Sequence, residues 1–215
     1  MEVKSVNLSS PRIVHWKGKE VETGIYKYPV QESIQLGTFG VAKDHVADLK
    51  VHGGIDKSCY FYSADHYEYW KSLYPDLDWN WGMLGENITV EGLEESKIHI
   101  GDVYEIGEAH IQISQPRQPC FKLGIKFGTQ KILRDFINKG WPGCYARVIK
   151  EGKVEVGDKM SLIIRSKSSQ SVQDIFKMLY SDDFERIKIE NAVHDGNLAQ
   201  SVRQQLLPKL ERSAR

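Results

Sequence analysis

The segment Gln115-Pro116-Arg117-Gln118-Pro119-Cys120 sets a thiol three residues after a guanidinium, with Lys122 just beyond. A neighbouring positive charge favours the thiolate, the form of cysteine that acts as nucleophile and as metal ligand. Pro116 and Pro119 withdraw backbone donors from a ladder and stiffen the chain. The strand before them is therefore expected to end at Ser114 and to carry Arg117 and Cys120 on a rigid loop. A buried core cysteine beside a surface arginine is the competing reading. The loop placement and the paired prolines favour a reactive centre at Cys120.

Two further segments carry groups suited to chemistry. In His52-Gly53-Gly54-Ile55-Asp56-Lys57, the glycines let the backbone approach a ligand and turn amide N–H groups toward an anion. His52 can bind or move a proton there, and Asp56 or Lys57 can orient a polar ligand. Gly-Gly turns are common, so this motif is weak by itself. In Gly82-Met83-Leu84-Gly85-Glu86-Asn87, Asn87 both donates and accepts hydrogen bonds and Glu86 offers an acid or base. A plain turn leading into a strand is the competing and locally simpler reading. His45, His52, Cys59 and His66 recur at every seventh position, but only one continuous helix would align them, and Gly53-Gly54 breaks it. Cys59, inside the apolar run Cys59-Tyr60-Phe61-Tyr62, reads as core, and Cys144, after Trp141-Pro142-Gly143, as structural, with a loop-facing role as the alternative. There is no P-loop, dinucleotide fingerprint or nucleophile elbow.

The elements that must position these groups are mostly short strands with glycine turns between them. Ala109 to Ser114 alternates most clearly, with Ala109, Ile111 and Ile113 on one face. Glu86 to Val90, Ile98 to Ile100, Val103 to Ile106, Cys144 to Ile149 and Lys159 to Ile164 follow the same style. Many short strands at this spacing suggest a closed or sandwiched β structure. Two packing helices interrupt it: one capped by Ser63 and ended by Pro75, the other capped by Thr129 and ended at Gly140. After the serine-rich joint at Arg165 to Gln170 the period becomes helical, with a capping box at Ser171 and Asp174. The expected organisation is a mostly-β domain over residues 1–165 and a small C-terminal helical appendage over 166–215.

The 215 residues carry 29 basic and 29 acidic side chains. That balance gives no global field toward nucleic acid or an anionic membrane. No apolar run is long enough to span a bilayer, and the first residues lack the pattern of a signal peptide. Three cysteines without a C-x-x-C pair argue against a disulfide framework and a structural zinc ribbon. The expected compartment is the cytoplasm.

Taken together, Val51 to Lys57, Gly85-Glu86-Asn87-Ile88 and Gln115 to Leu123, in this order and with the Gly101-Asp102 turn and Gly143-Cys144-Tyr145, resemble the MOSC family and its YiiM-like branch. The resemblance covers most of the first 165 residues. It implies a MOSC-type β-barrel with a few packing helices, a molybdenum cofactor (molybdopterin) held through Cys120, and reduction of N-hydroxylated compounds such as hydroxylaminopurine-type bases. Carried onto this chain, Arg117, Gly53 and Gly54 would bind the cofactor's phosphate or pterin. His52 would supply a proton, Asn87 would fix cofactor or substrate, and Lys122 and Asp56 would support them. Thiolate suits such a soft, redox-active centre. With no flavin, haem or iron–sulfur signature, electrons are expected from a separate donor protein. Two alternatives use the same residues: a sulfur carrier with Cys120 as persulfide donor, and a non-enzymatic cofactor-binding module.

Overall fold

A computed structural model describes residues 1–48, 53–168, 170–181 and 183–212. Among the described residues, thirteen strands and six α-helices follow one another along the chain. Eight strands form the principal sheet: β1 (Glu2–Ser9), β4 (Lys27–Pro29), β7 (Cys59–Ser63), β8 (Ile88–Glu91), β9 (Val103–Ile106), β10 (Ala109–Pro116), β11 (Cys144–Lys150) and β13 (Met160–Ile164). Their order is β13-β9-β10-β11-β7-β8-β1-β4. Among the described residues, β7–β8 is the one parallel pair. A hairpin of β2 (Arg12–Trp16) and β3 (Lys19–Thr23) stands apart, and β5 (Ile34–Gly37), β6 (Gly40–Val41) and β12 (Gly152–Val154) make a small third sheet.

The expected closed barrel is not seen as a continuous ladder. β13 and β4 end the strand order. The sheet curls far enough for its first strand to meet the segment before β13: Val3 N donates to Asp158 O, Gly157 N to Val3 O and Met160 N to Met1 O, at 2.9–3.0 Å, and one isolated bridge joins Glu2 and Lys159. The coarser expectation holds: this is a sheet-dominated fold with several helices.

Alternation explains how one sheet serves two apolar layers. In β7, Cys59 and Phe61 enter one core with Val6, Ile88, Ile111, Ile113 and Cys144. Tyr60 and Tyr62 point the other way, into an aromatic layer with Tyr67, Trp70 and Phe136. Helix α1 (Tyr67–Leu73) supplies Tyr67 and Trp70, and α3 (Lys131–Lys139) supplies Ile132 and Phe136. As expected, α3 ends on Gly140, which adopts the left-handed conformation at φ 70°. Helices α4 (Val172–Tyr180), α5 (Arg186–His194) and α6 (Gln200–Arg212) follow the joint. The Ser171–Asp174 capping box is present. These helices bury Val172, Ile175, Met178, Ile189, Val202 and Leu206 in the same core as the strands.

Several local expectations shift. β10 continues past Ser114, pairing Gln115 with Tyr145 and Pro116 with Cys144 after a register shift; a proline is tolerated at that strand end because a bulge has already loosened the ladder. Ile98 to Ile100 form no strand. Glu86 to Val90 are buried throughout rather than alternating, because layers cover both faces. Ser63 ends β7 and makes no side-chain cap; a 3-10 turn over Ala64–His66 intervenes before α1. Gln130, not Thr129, is the residue preceding α3, although Thr129 Oγ1 accepts a bond from Lys131 N at 3.3 Å. Helix α2 (Phe121–Lys126), directly after Cys120, was not anticipated.

Candidate functional site

Against the cross-strand pair Tyr60 and Tyr145, whose ring centroids lie 5.1 Å apart, a pocket opens with about 780 Å³ of empty space counted out to its mouth. Three stretches wall it: the end of β3 through Lys27, the β6 region through Ala47, and Arg117 to Lys122. The walls approach closely because glycine stands where a side chain would collide. A Cβ on Gly24 would sit 1.9 Å from the His45 carbonyl oxygen, and one on Gly82 would sit 2.7 Å from that of Lys27.

Five residues expected from the sequence share this lining: Gly53, Asn87, Arg117, Cys120 and Lys122. Cys120 is half-buried between β10 and α2, whereas Cys59 and Cys144 are fully buried in the core, where burial pushes both thiols well up. The burial of the key pair reverses the competing reading, since it is Arg117 that is buried, at 4% exposure. Its guanidinium lies over the rings of Tyr60 and Phe136, at 5.4 and 5.3 Å. Burial opposes its charge, but Tyr60, Tyr145 and Cys120 favour it, and the balance lies above the ordinary arginine value. Its Nη1 has no hydrogen-bond partner among the described residues. A buried donor left unsatisfied costs roughly 1–3 kcal/mol.

The other expected residues separate. His52 lies outside the described residues. Gly54, at φ 92°, precedes a 3-10 turn (Ile55–Lys57) and does not line the pocket. Neither does Asp56: its carboxylate accepts from Arg147 Nε at 2.6 Å and its carbonyl from Ser114 Oγ at 2.6 Å, tying the turn to β10 and β11. Glu86 is fully buried and accepts from Tyr67 Oη, Gly82 N, Leu84 N and Thr89 Oγ1. It organises the turn into β8, as the simpler reading held. Asn87 is likewise committed to protein, donating to Asp44 at 2.8 Å and accepting from Tyr60 N at 3.3 Å.

Residues that sequence reasoning passed over complete the walls. Lys27 and Asp44 form a buried ion pair. Asp44 also accepts from Ser9 N and Ser9 Oγ, at 2.9 and 2.8 Å, holding its segment to β1. Behind the wall, Lys126 Nζ donates to the carbonyls of Ile25 and Gly82, at 3.1 and 2.8 Å. Burial pulls its pKa down to about 7. Lys57, also lining, is lowered by burial. Four basic side chains (Lys27, Lys57, Arg117 and Lys122) and one acidic (Asp44) thus line a pocket in a chain of zero formal net charge. Such focusing favours an anionic ligand. Among the described residues no three His, Cys, Asp or Glu side chains gather as a metal cluster, and no helix is long and apolar enough to cross a membrane.

A curled mixed sheet with one thiol on a cationic pocket defines a pocketed, sheet-dominated domain. The family is established by comparison: the chain belongs to the MOSC family, whose domain model matches residues 48–161. It is 38% identical to the protein YflK of Bacillus subtilis over 98% of this chain and 95% of that one. It is 35% identical to YiiM of Escherichia coli, covering 75% of this chain and 74% of the relative. A Gibberella moniliformis protein named as a reductase is 32% identical over 75% of this chain, which spans only 29% of that protein. The crystal structure of YiiM from Geobacillus stearothermophilus superposes with a TM-score of 0.81 at 29% identity, covering 97% of this chain and 98% of the other. The chain falls in the YiiM-like branch.

Proposed function

We propose that this pocket holds a molybdenum–pterin cofactor through Cys120 and that the protein is a cytoplasmic reductase of N-hydroxylated compounds, hydroxylaminopurine-type bases among them. The observation that carries the proposal is the buried, unpartnered Arg117 Nη1 in the same lining as the half-buried Cys120. A thiolate for the metal and a desolvated guanidinium for a phosphate are what a thiol-anchored, anionic cofactor requires. The family and the reductase relative support the same reading. When bound, the cofactor supplies the electrons for breaking the N–O bond.

The chain's own residues do the rest. Cys120 offers its sulfur from a loop fixed by Pro119 on one side and α2 on the other. Arg117, Lys57 and Lys122 neutralise the cofactor's negative charge, and the Gly53 backbone allows close approach. Asn87 acts indirectly, by holding Asp44 and so the wall. The reaction consumes two electrons and two protons per hydroxylamino group, giving the amine and water. His52 is the proposed proton donor, in keeping with the working range of an imidazole. Electrons come from a separate donor protein. The curled sheet of residues 1–165 corresponds in this proposal to the family's barrel.

Metal analysis of protein made in a host that synthesises the cofactor tests this. Wild-type protein is expected to carry stoichiometric molybdenum and to reduce a hydroxylaminopurine with a chemical reductant. Cys120→Ser is expected to lose both while keeping its circular dichroism spectrum. Metal-free wild-type protein, together with undiminished reduction by Cys120→Ser, would falsify the proposal.

A further inference from the structure

Phe39 is the most exposed large hydrophobic residue among those described, at 78%, and it lines the same pocket as Cys120. It lies in the tight turn between β5 and β6, where Gly37 pairs with Gly40 and leaves Thr38 and Phe39 as the loop. An exposed aromatic at a turn tip is ordinarily free to fold against its neighbours. Here the turn is clamped from two sides. Thr38 N and Oγ1 donate to the Glu151 carboxylate at 2.8 and 2.9 Å, and these two bonds hold that carboxyl below its ordinary range. The Thr38 carbonyl accepts from Ser58 Oγ at 2.5 Å, and Ser58 Oγ also reaches the Ile55 carbonyl at 2.9 Å. The ring is therefore presented on a braced support at the pocket's rim. It stacks on no other ring among the described residues, in contrast to Phe121, next to Cys120, whose ring packs on Trp16 at 6.3 Å.

We infer that Phe39 is the platform on which a flat aromatic substrate stacks, so that the β5–β6 turn sets the pocket's preference for planar heteroaromatic N-hydroxylated compounds over small aliphatic ones. This rests on the reductase reading above and deepens it. A braced ring loses little freedom when a planar ligand settles on it, which is how a single aromatic contributes affinity without shape-specific hydrogen bonds.

Phe39→Ala and Phe39→Trp, assayed with a chemical reductant on a hydroxylaminopurine and on hydroxyurea, test the inference. For Phe39→Ala we expect KM for the purine to rise about tenfold, the scale of one lost stacking contact. Its kcat, its molybdenum content and its KM for hydroxyurea are expected to stay close to wild type, and Phe39→Trp is expected to restore purine KM. In cofactor-free Phe39→Trp, the corresponding aminopurine is expected to change tryptophan fluorescence relative to wild type in a saturable way. Equal effects on both substrates, or a loss of molybdenum, would make Phe39 a structural residue. An effect seen only with a protein electron donor would make it a docking contact for that donor. If wild-type protein neither binds molybdenum nor turns over, the reductase reading fails by itself, and the cofactor-free titration still decides whether Phe39 receives a flat ring.

Discussion

Lys126 carries a charge in a place that resists charge. Its ammonium is spent on two backbone carbonyls, Ile25, which lines the pocket, and Gly82, in the turn before Glu86. Burial lowers its pKa to about 7; Glu86 partly offsets this, while Lys27, Arg117 and Arg12 add to it. The Tyr26 ring lies 5.7 Å away. In the unfolded chain this lysine stays protonated to about 10.4. Between these values the unfolded state binds more protons, so the contribution of Lys126 to stability rises with pH from about 7 upward. The slope from this one group is at most roughly 1.4 kcal/mol per pH unit. Urea unfolding of wild type and Lys126→Met at pH 7 and pH 9 isolates it, because the titrations of buried tyrosines and cysteines cancel in the difference. Wild type is expected to gain on the variant as pH rises. A constant difference across that range would mean that Lys126 keeps its ordinary pKa.

At the scale of elements, the pocket depends on ties between segments far apart in sequence. Asp44 joins β1 through Ser9, β4 through Lys27 and the entry to β8 through Asn87. Asp44→Ala removes one partner of a buried ion pair and leaves Lys27 uncompensated, which costs about 3–5 kcal/mol. The urea midpoint is expected to fall accordingly, and Asp44→Asn, which keeps an acceptor, is expected to fall less. Equal stability of Asp44→Ala and wild type would contradict the buried pair.

The same ties mark what could be seen in the sequence. Ala109 to Ile113 announced its strand by period two, Ser171 and Asp174 their cap, and Cys59 and Cys144 their place in the core, because each of these is written in adjacent residues. Cys120, Arg117, Lys122, Gly53 and Asn87, which the resemblance set together, line one pocket. Lys27, Asp44 and Phe39 were invisible because long-range register brings them there, and an aspartate in Ala42-Lys43-Asp44-His45 looks like a solvated turn. Helix α2 escaped because a six-residue element is too short to show a helical period. The chemistry of Glu86 and Asp56 was open in the sequence; their hydrogen bonds commit both to the scaffold.

In the molecule as a whole, the C-terminal helices are set off by composition but not by packing. Val172, Ile175, Val202 and Leu206 lie in the core that also holds Ile111 and Ile113. Arg147 Nη1 on β11 reaches the Asn197 carbonyl at 2.8 Å. A chain ending at Arg165 would expose that side of the sheet, and it is expected to bind a hydrophobic dye and to lose a sharp melting transition. Cooperative melting within a few degrees of the full chain would instead make residues 166–215 a detachable appendage.

The curled sheet also sets a timetable. β1 is made before the strands it pairs with: β4 reaches only Asn7 to Ser9, β8 comes with Ile88, and the seam with Asp158 and Met160 follows much later. At about 5–20 residues per second, a ribosome needs roughly ten to thirty seconds to deliver that seam. Throughout that interval Val3, destined for the core, waits on the half of β1 that β4 leaves open. For this protein, vectorial synthesis leaves the seam edge of β1 among the last to be secured, and a chaperone that shelters nascent strands would have its longest task there.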